Sequence, residues 1–180
     1  MIDAAHKFEG RSAGARRDAA LDHPARWALC EIVALQDEAL VFEPIYRVVL
    51  GGDREDFLAA LRAVTVPGTA GQTVTAVFGE CEEARSFSSP DHALTVGTLQ
   101  NFIDRYTAAH PGVKCDYIHD EASLRALASN DGAVGFLLAG MAKEELFPYV
   151  AANGTLPRKT FSMGEARSKR YYLEARKITR

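Results

Sequence analysis

The first third of the chain changes from strand-like to helix-like spacing of its apolar residues. Residues 26–35 are apolar on both faces, which is typical of a strand in a covered sheet, and a second strand is predicted at 41–50; we expect the two to pair antiparallel. Gly51-Gly52-Asp53 then precedes a helical apolar face made by Phe57, Leu58, Leu61 and Val64. Asp53 is the expected N-cap of this helix, and Pro67-Gly68 is its expected end.

The pattern that follows predicts a hairpin and a series of shorter elements. Residues 73–78 alternate as a strand, with 84–87 as the expected hairpin partner. Thr95 is the expected cap of a helix that ends at His110-Pro111-Gly112 and buries Leu99, Phe102, Ile103 and Tyr106. The elements predicted after it are a strand at 113–118, a helix capped by Asp120, a strand at 134–138, a short helix at 142–152 and a helical turn at 164–170. For residues 171–178 the periodicity leaves strand and helix both open.

This order of elements lacks strict β-α-β alternation and includes a hairpin. It therefore predicts an α+β fold, with helices packed on a mostly antiparallel or mixed sheet. The length of 180 residues fits one domain, which we expect to cover 23–180. Residues 1–22 are rich in alanine, but Gly10 and Gly14 interrupt them and no apolar stripe forms, so we expect a frayed or partly helical N-terminal segment.

Composition places the chain among soluble proteins. It is 47 % apolar and 25 % charged, and its longest apolar run, 133–142, is about half of what a bilayer requires. The first twenty residues carry no secretory signal. Cys30, Cys81 and Cys115 are far apart and form no CxxC pair, so we expect three buried free cysteines. The sequence thus predicts a cytoplasmic protein that does not enter a membrane.

Charge is spread unevenly along the chain. Residues 158–180 hold eight cations and two acids, a net charge of +6, whereas the rest of the chain sums to −9. Such asymmetry is typical of a region that binds anions. The acidic remainder would repel a polyanion, so we expect no nucleic-acid partner. No two histidines have the spacing of metal ligands and no acids cluster with them, so we expect no metal.

The segment 156–165, with the sequence LPRKTFSMGE, is the main candidate for an anion site. It is not a P-loop, since Lys159 stands where the second glycine belongs and Pro157 lacks an amide donor. In an extended chain, Thr160 and Ser162 share one face, and free amides after Gly164 would help to hold an oxyanion. In the alternative interpretation, apolar side chains anchor a connector to the core while the cations are solvated. Both interpretations stay open.

Two other segments place reactive side chains near strand ends. Glu43 and Arg47 share one face of a predicted strand but lie roughly 13 Å apart, so each needs a ligand or a neighbouring strand as its partner. His119 follows a strand and is the candidate general acid or base, while Asp120 is the cap of the next helix. A polar sheet face and a hydrogen-bonded edge histidine are the alternatives.

Together these segments resemble a bacterial and archaeal family, domain of unknown function 1015 (DUF1015). The similarity runs from about residue 23 to 178 and rests on five motifs in the same order: His23-Pro-Ala-Arg-Trp-Ala-Leu, Phe42-Glu-Pro-Ile-Tyr-Arg-Val, Asp116-Tyr-Ile-His-Asp120, Gly135-Phe-Leu-Leu and 156–165. Family members are longer and carry an upstream glycine- and histidine-containing loop like that of ParB-like nucleotide-binding domains, including an archaeal free-serine kinase. Residues 1–21 match no such loop. The family also has histidine where this chain has Tyr46, whose ordinary pKa of about 10 does not suit a base near neutrality.

The resemblance implies that the chain corresponds to the C-terminal part of a longer ancestral protein. It also implies a phosphorylated small molecule or a nucleotide as ligand or cofactor. The candidate ligand-binding residues are Arg47, Glu43, Asp120, Arg158, Lys159, Thr160, Ser162 and Glu165, with His119 as the candidate catalytic residue. The competing hypothesis is a non-catalytic remnant that binds a partner or forms a homodimer. Whether the chain is an enzyme, and with which reaction and substrate, stays open at this point.

Overall fold

The computed structural model describes residues 32–164. All of the elements given below belong to the second of two units into which the chain divides, Leu35–Arg180. Several predictions fall outside the described residues. They are the N-terminal segment 1–22, most of the strand at 26–35, the turn at 164–170, the element at 171–178, and Glu165.

The described residues form one large antiparallel sheet and a small two-stranded ribbon. The elements follow in the order β1 (Phe42–Pro44), β2 (Tyr46–Leu50), α1 (Arg54–Val64), β3 (Thr65–Pro67), β4 (Thr73–Phe78), β5 (Cys81–Phe87), α2 (Thr95–Ala109), β6 (Lys114–Ile118), α3 (Glu121–Ala128), β7 (Val134–Leu137), a 3-10 turn (Lys143–Glu145), α4 (Leu146–Asn153) and β8 (Phe161–Met163). The sheet has the order β3-β5-β4-β7-β2-β6, and every neighbouring pair is antiparallel. The ribbon pairs β1 with β8. The predicted α+β class is confirmed.

Alternation along β2 divides the core between the two faces of the sheet. Val49 packs in the larger cluster with buried residues of α1 and α2, while Val48 packs in a smaller cluster with Leu124 of α3. Helix α3 approaches the sheet closely at Gly135 in β7. A Cβ atom there would lie 3.0 Å from the Leu124 side chain and 3.2 Å from Ala128, so only glycine fits without a shift.

Two of the three N-caps predicted from the sequence are found in the structure. Asp53 accepts from the amide of Asp56, and Asp120 accepts from the amide of Ser123, so both predicted caps are confirmed. The predicted cap at Thr95 is wrong. Thr95 is the first helical residue of α2, and the N-cap is Leu94, whose aliphatic side chain has no acceptor to offer.

The predicted strand at 41–50 is divided in the structure. Phe42–Pro44 pairs with β8, whereas Tyr46–Leu50 enters the six-stranded sheet, so Glu43 and Arg47 belong to different strands. Pro44 stands at the division, where its missing amide removes one ladder hydrogen bond. The first helix also ends earlier than predicted, at Val64, because Thr65–Pro67 form strand β3 against β5.

The predicted hairpin of β4 and β5 is confirmed. The prediction that Cys81 is buried is wrong. Cys81 directly follows the turn and is exposed, so it is not the buried residue expected from the sequence. Cys115 is partly buried, and burial raises the pKa of its thiol to about 11.

Within residues 32–164, no helix is both long enough and apolar enough to cross a membrane.

Candidate functional site

A buried arginine in β2 holds the backbone of the candidate anion-binding segment at Arg158 and Lys159. The Arg47 side chain is fully buried, and its Nη2 donates to the carbonyl of Arg158 at 3.1 Å and to that of Lys159 at 2.9 Å. Nη1 donates to the carbonyl of Ile45, and Nε donates to Oε1 of Gln100 at 3.3 Å. Arg47 therefore links the motif beginning at Phe42 to the motif beginning at Leu156.

Four other side chains complete a closed polar network with Arg47, which we call the Arg47 cluster: Arg47, Gln100, Asp104, Tyr117 and Arg158. Asp104 Oδ1 accepts from Gln100 Nε2 at 2.9 Å and from Arg158 Nη2 at 2.6 Å. Arg158 Nε donates to the Tyr117 hydroxyl at 2.8 Å, and that hydroxyl donates to Gln100 Oε1 at 3.4 Å. The Arg47 guanidinium also lies 5.4 Å from the centre of the Tyr117 ring, within range of a cation–π interaction.

The charges of the Arg47 cluster do not balance. It contains the two guanidinium groups of Arg47 and Arg158 but one carboxylate, that of Asp104, which pairs with Arg158, so its net charge is +1. The hydrogen-bond acceptors that contact Arg47 are uncharged oxygens, and burial lowers its pKa to about 10. Hydrogen bonds to Tyr117 and Asp104 raise the pKa of Arg158. Because a buried charge is costly without a counter-charge, the cluster favours an anion nearby.

The two-stranded ribbon fixes where the end of the candidate anion-binding segment, residues 161–163, lies. Phe42 pairs with Met163, Glu43 with Ser162, and Pro44 with Phe161. The rings of Phe42 and Phe161 stack with centroids 3.8 Å apart and planes within 8° of each other. Tyr117 pairs with Arg47 across β2 and β6, and Phe136 pairs with Arg47 from β7. Four of the five motifs that carry the family resemblance therefore meet around Arg47, and the fifth lies outside the described residues.

The predicted anion-binding residues divide into buried hydroxyls and exposed cations. Thr160 and Ser162 are buried on one side of the segment; the Thr160 hydroxyl donates to the carbonyl of Pro157 and that of Ser162 to the carbonyl of Gly164. Arg158 and Lys159 are exposed, and Lys159 has a φ of 57° in the left-handed region. Of the two apolar side chains that the alternative interpretation takes as anchors of a connector, Phe161 stacks on Phe42, whereas Met163 is 60 % exposed.

His119 lies at the end of β6 with one ring nitrogen unsatisfied. Its Nδ1 is buried and has no hydrogen-bond partner among the described residues. Asp120, the next residue, is engaged as the cap of α3, and Glu43 is half-buried in β1. In β2, Tyr46 pairs with Ile118; burial, and then the charges of Glu121 and Glu43, raise the pKa of its phenol. Even less of the Tyr46 phenol is therefore ionised near neutrality than its ordinary pKa implies.

A small cavity of about 190 Å³ lies beside the segment 156–165. The start of α2 at Leu94 and Thr95, the chain after β7 at Gly140, and the side chains of Glu145 and Thr160 contribute to its lining. Glu145 is already engaged, since its carboxylate accepts from the amide of Ala142. The cavity is smaller than the roughly 300–1,000 Å³ that is usual for pockets that hold drug-sized ligands. Across the described part of the chain, no group of three or more histidine, cysteine and acidic side chains is arranged to hold a metal ion.

Gln100 and Asp104 are site residues that the sequence did not predict. Both lie on α2 four residues apart, where polar side chains next to the apolar stripe are typical of a solvent-facing boundary. Gln100 is nevertheless buried, and it joins Arg47 to Asp104. The one sequence feature that points to them is their i, i+4 spacing on a helix. This spacing predicts that the amide and the carboxylate are in contact, but it does not predict that an arginine joins them.

Comparison with known proteins shows which fold the domain shares. No protein-family model matches the chain, and no curated protein sequence matches it. A conserved hypothetical protein from Pyrococcus furiosus has a similar structure, with a TM-score of 0.57 at 15 % identity, covering 76 % of this chain and 61 % of that one. A mutant free serine kinase solved in complex with AMP matches with a TM-score of 0.55 at 14 % identity, covering 74 % of this chain and 57 % of the kinase. The match thus spans about three-fifths of the length of each of these proteins, and at such identities the likeness shows the fold alone.

Proposed function

We propose that this domain binds a small phosphorylated molecule or a nucleotide at the solvent side of the Arg47 cluster. The observation that carries the proposal is the charge imbalance of that cluster, which holds two guanidinium groups and one carboxylate: Asp104 pairs with Arg158, whereas Arg47 contacts only uncharged acceptors. Arg158 and Lys159 are exposed, so their side chains are able to reach a ligand in solution. A phosphate group supplies both the missing negative charge and acceptors for several N–H donors.

Within this proposal Arg47 is a positioning residue. It is fully buried and cannot reach a ligand, but its Nη2 holds the carbonyls of Arg158 and Lys159 side by side. The buried hydroxyls of Thr160 and Ser162 satisfy carbonyls of the same segment and keep it folded back on itself. The unsatisfied Nδ1 of His119 is a further candidate to receive or donate a hydrogen bond when a ligand is present.

The structural neighbours support a nucleotide as one form of the ligand. The free serine kinase of similar fold was solved with AMP bound. The resemblance to DUF1015 implies a phosphoryl or nucleotide ligand as well, and we propose that this chain corresponds to the C-terminal part of that family's pattern. Because the match covers 57 % of the kinase, the proposal concerns binding and assigns no reaction.

Thermal denaturation of the full chain with inorganic phosphate, phosphoserine or AMP tests the proposal. A ligand at one hundred times its Kd adds about 2.7 kcal/mol to the free energy of unfolding. For a chain of this size that raises Tm by roughly 5–10 °C. We expect Arg158→Gln and Lys159→Gln to abolish most of the shift.

Arg105→Gln is the matched control for these variants. Arg105 is also an exposed arginine, and its guanidinium pairs with the carboxylate of Asp91, which is not a member of the Arg47 cluster. It should leave the ligand-induced shift unchanged. If none of the three ligands raises Tm, or if Arg105→Gln reduces the shift as much as Arg158→Gln does, the proposal fails.

A second candidate function is self-association through α4. Phe147 is 66 % exposed and Val150 is 41 % exposed on this short helix, and contact with a second copy would remove both from water. Sedimentation velocity at increasing protein concentration should then show a dimer that Phe147→Glu converts to a monomer. A wild-type chain that stays monomeric over the whole concentration range would rule this candidate out.

A further inference from the structure

Asp104 already occupies the guanidinium that the proposed ligand would use. Its Oδ1 lies 2.6 Å from Nη2 of Arg158, and the two side chains are 42 % and 58 % exposed, so the ion pair stands at the surface. The same oxygen accepts from Gln100, which keeps Asp104 in place. Asp104 is the one carboxylate of the Arg47 cluster.

The geometry of Arg158 leaves a phosphate two ways to approach. The edge formed by Nε and Nη2 is filled, because Nε donates to Tyr117 and Nη2 donates to Asp104. A ligand that uses this edge in a bidentate manner has to displace Asp104. A ligand that uses the neighbouring edge, formed by Nη1 and Nη2, binds directly beside the negative charge of Asp104. Both approaches are disfavoured by the carboxylate.

We propose that Asp104 is a built-in competitor that sets the affinity of the site for phosphate groups. In the free protein it holds Arg158, and binding exchanges the carboxylate for the phosphate on the same guanidinium. This inference rests on the proposed function. It also predicts opposite effects on phosphate affinity. Removing the charge of Asp104 strengthens binding, whereas removing the charge of Arg158 or Lys159 weakens it.

Asp104→Asn in the full chain tests the inference. The amide keeps an oxygen that accepts from Arg158 and Gln100, so the packing is retained while the negative charge is lost. We expect the Kd for inorganic phosphate to fall about fivefold, because exposed ion pairs contribute at most about this much to an equilibrium. The gain should shrink as salt is raised, since exposed charges are screened.

Asp91→Asn is the matched control. Asp91 precedes α2, pairs with Arg105 at 2.7 Å and is similarly exposed, so its substitution changes the net charge by the same amount. Wild type and Asp91→Asn should bind phosphate equally, and Asp104→Asn more tightly than either. Isothermal titration calorimetry or amide chemical shifts give the three dissociation constants.

The remaining outcomes separate the two proposals. If the wild type binds phosphate and Asp104→Asn binds with the same or lower affinity, Asp104 positions Arg158 rather than competing for it, and this inference is overturned while the proposed function stands. An equal gain in Asp91→Asn also overturns the inference, because the effect is then one of net charge. If none of the three chains binds inorganic phosphate, phosphoserine or AMP, the proposed function itself is overturned.

Discussion

Arg47 and Lys159 lie 112 residues apart in the chain, and the buried guanidinium of Arg47 donates to the backbone carbonyl of Lys159 at 2.9 Å. Lys159 has a φ of 57°, a conformation that costs a residue with a side chain about 1 kcal/mol or more. The bond from Arg47 therefore stabilises a turn that its own sequence disfavours. It also fixes the direction in which the two exposed cations of the proposed site leave the backbone.

Replacement of Arg47 by methionine should destabilise the domain strongly. The substitution leaves the carbonyls of Ile45, Arg158 and Lys159 without their donor, and we expect the free energy of unfolding to fall by about 2–4 kcal/mol. Arg47→Lys should recover little, because an ammonium lacks the fork that reaches several acceptors at once. Urea denaturation measures both variants.

Arg105→Met is the control for Arg47→Met, since Arg105 is exposed and its loss should cost no more than about 0.5 kcal/mol. An Arg47→Met variant as stable as the wild type would mean that relief from burying the charge offsets the lost hydrogen bonds, as replacement of some buried ion pairs does. The stabilising role of Arg47 would then be wrong.

Local features of the fold could be predicted from the sequence, whereas the centre of the site could not. The caps at Asp53 and Asp120 each depend on an amide three residues away, and the hairpin of β4 and β5 depends on neighbouring residues. The partners of Arg47 at Gln100 and Lys159 are 53 and 112 residues away, and no local pattern specifies them. A distant strand also explains why the predicted strand at 41–50 is divided at Pro44, because Phe42–Pro44 pairs with β8.

A glycine in α2 is required by the side chain of His92. A Cβ atom at Gly97 would lie 2.2 Å from Nδ1 and 2.3 Å from Cγ of that ring. The ring is held in place, since its Nδ1 accepts from the amide of Leu94 at 3.0 Å and its Nε2 lies 3.3 Å from the Tyr149 hydroxyl. We expect Gly97→Ala to lower the free energy of unfolding by about 1–3 kcal/mol through this clash.

The effect of Gly97→Ala on the free energy of unfolding should change sign when the His92 imidazole is absent. In a His92→Ala background, Gly97→Ala should stabilise the chain by up to about 1 kcal/mol, because alanine has the higher helix propensity. A double-mutant cycle from urea denaturation measures the coupling. The same destabilisation in both backgrounds would show that His92 is not the reason for the glycine.

Tyr106 should make stability fall at high pH. Its hydroxyl donates to Asp56 Oδ2 at 2.5 Å, and burial, followed by this hydrogen bond, raises its pKa to about 12. The unfolded chain loses the phenol proton near its ordinary pKa of about 10. Between these values the unfolded state binds fewer protons than the folded state, so the free energy of unfolding decreases as pH rises.

Tyr106→Phe removes this dependence. At pH 9 the variant should be less stable than the wild type by about 1 kcal/mol, the cost of the lost hydrogen bond. By pH 11 the difference should shrink by about 1 kcal/mol, because only the wild type has the shifted phenol. Urea denaturation at both pH values gives the comparison, in which the other titrating groups cancel. A difference that stays constant from pH 9 to pH 11 would contradict the assignment.

Asp116 should protect the edge of the sheet against self-association. In the described part of the chain β6 is the last strand of the six-stranded order, and the Asp116 carboxylate accepts from the backbone amide of Tyr117 at 2.8 Å. A charged side chain that covers an edge donor hinders pairing with another strand. For Asp116→Val we expect a sedimentation coefficient that rises with increasing protein concentration.

Glu55→Val is the control, because it makes the same change on the exposed surface of α1, and it should leave the sedimentation coefficient unchanged. If both variants sediment like the wild type, Asp116 has no such protective role.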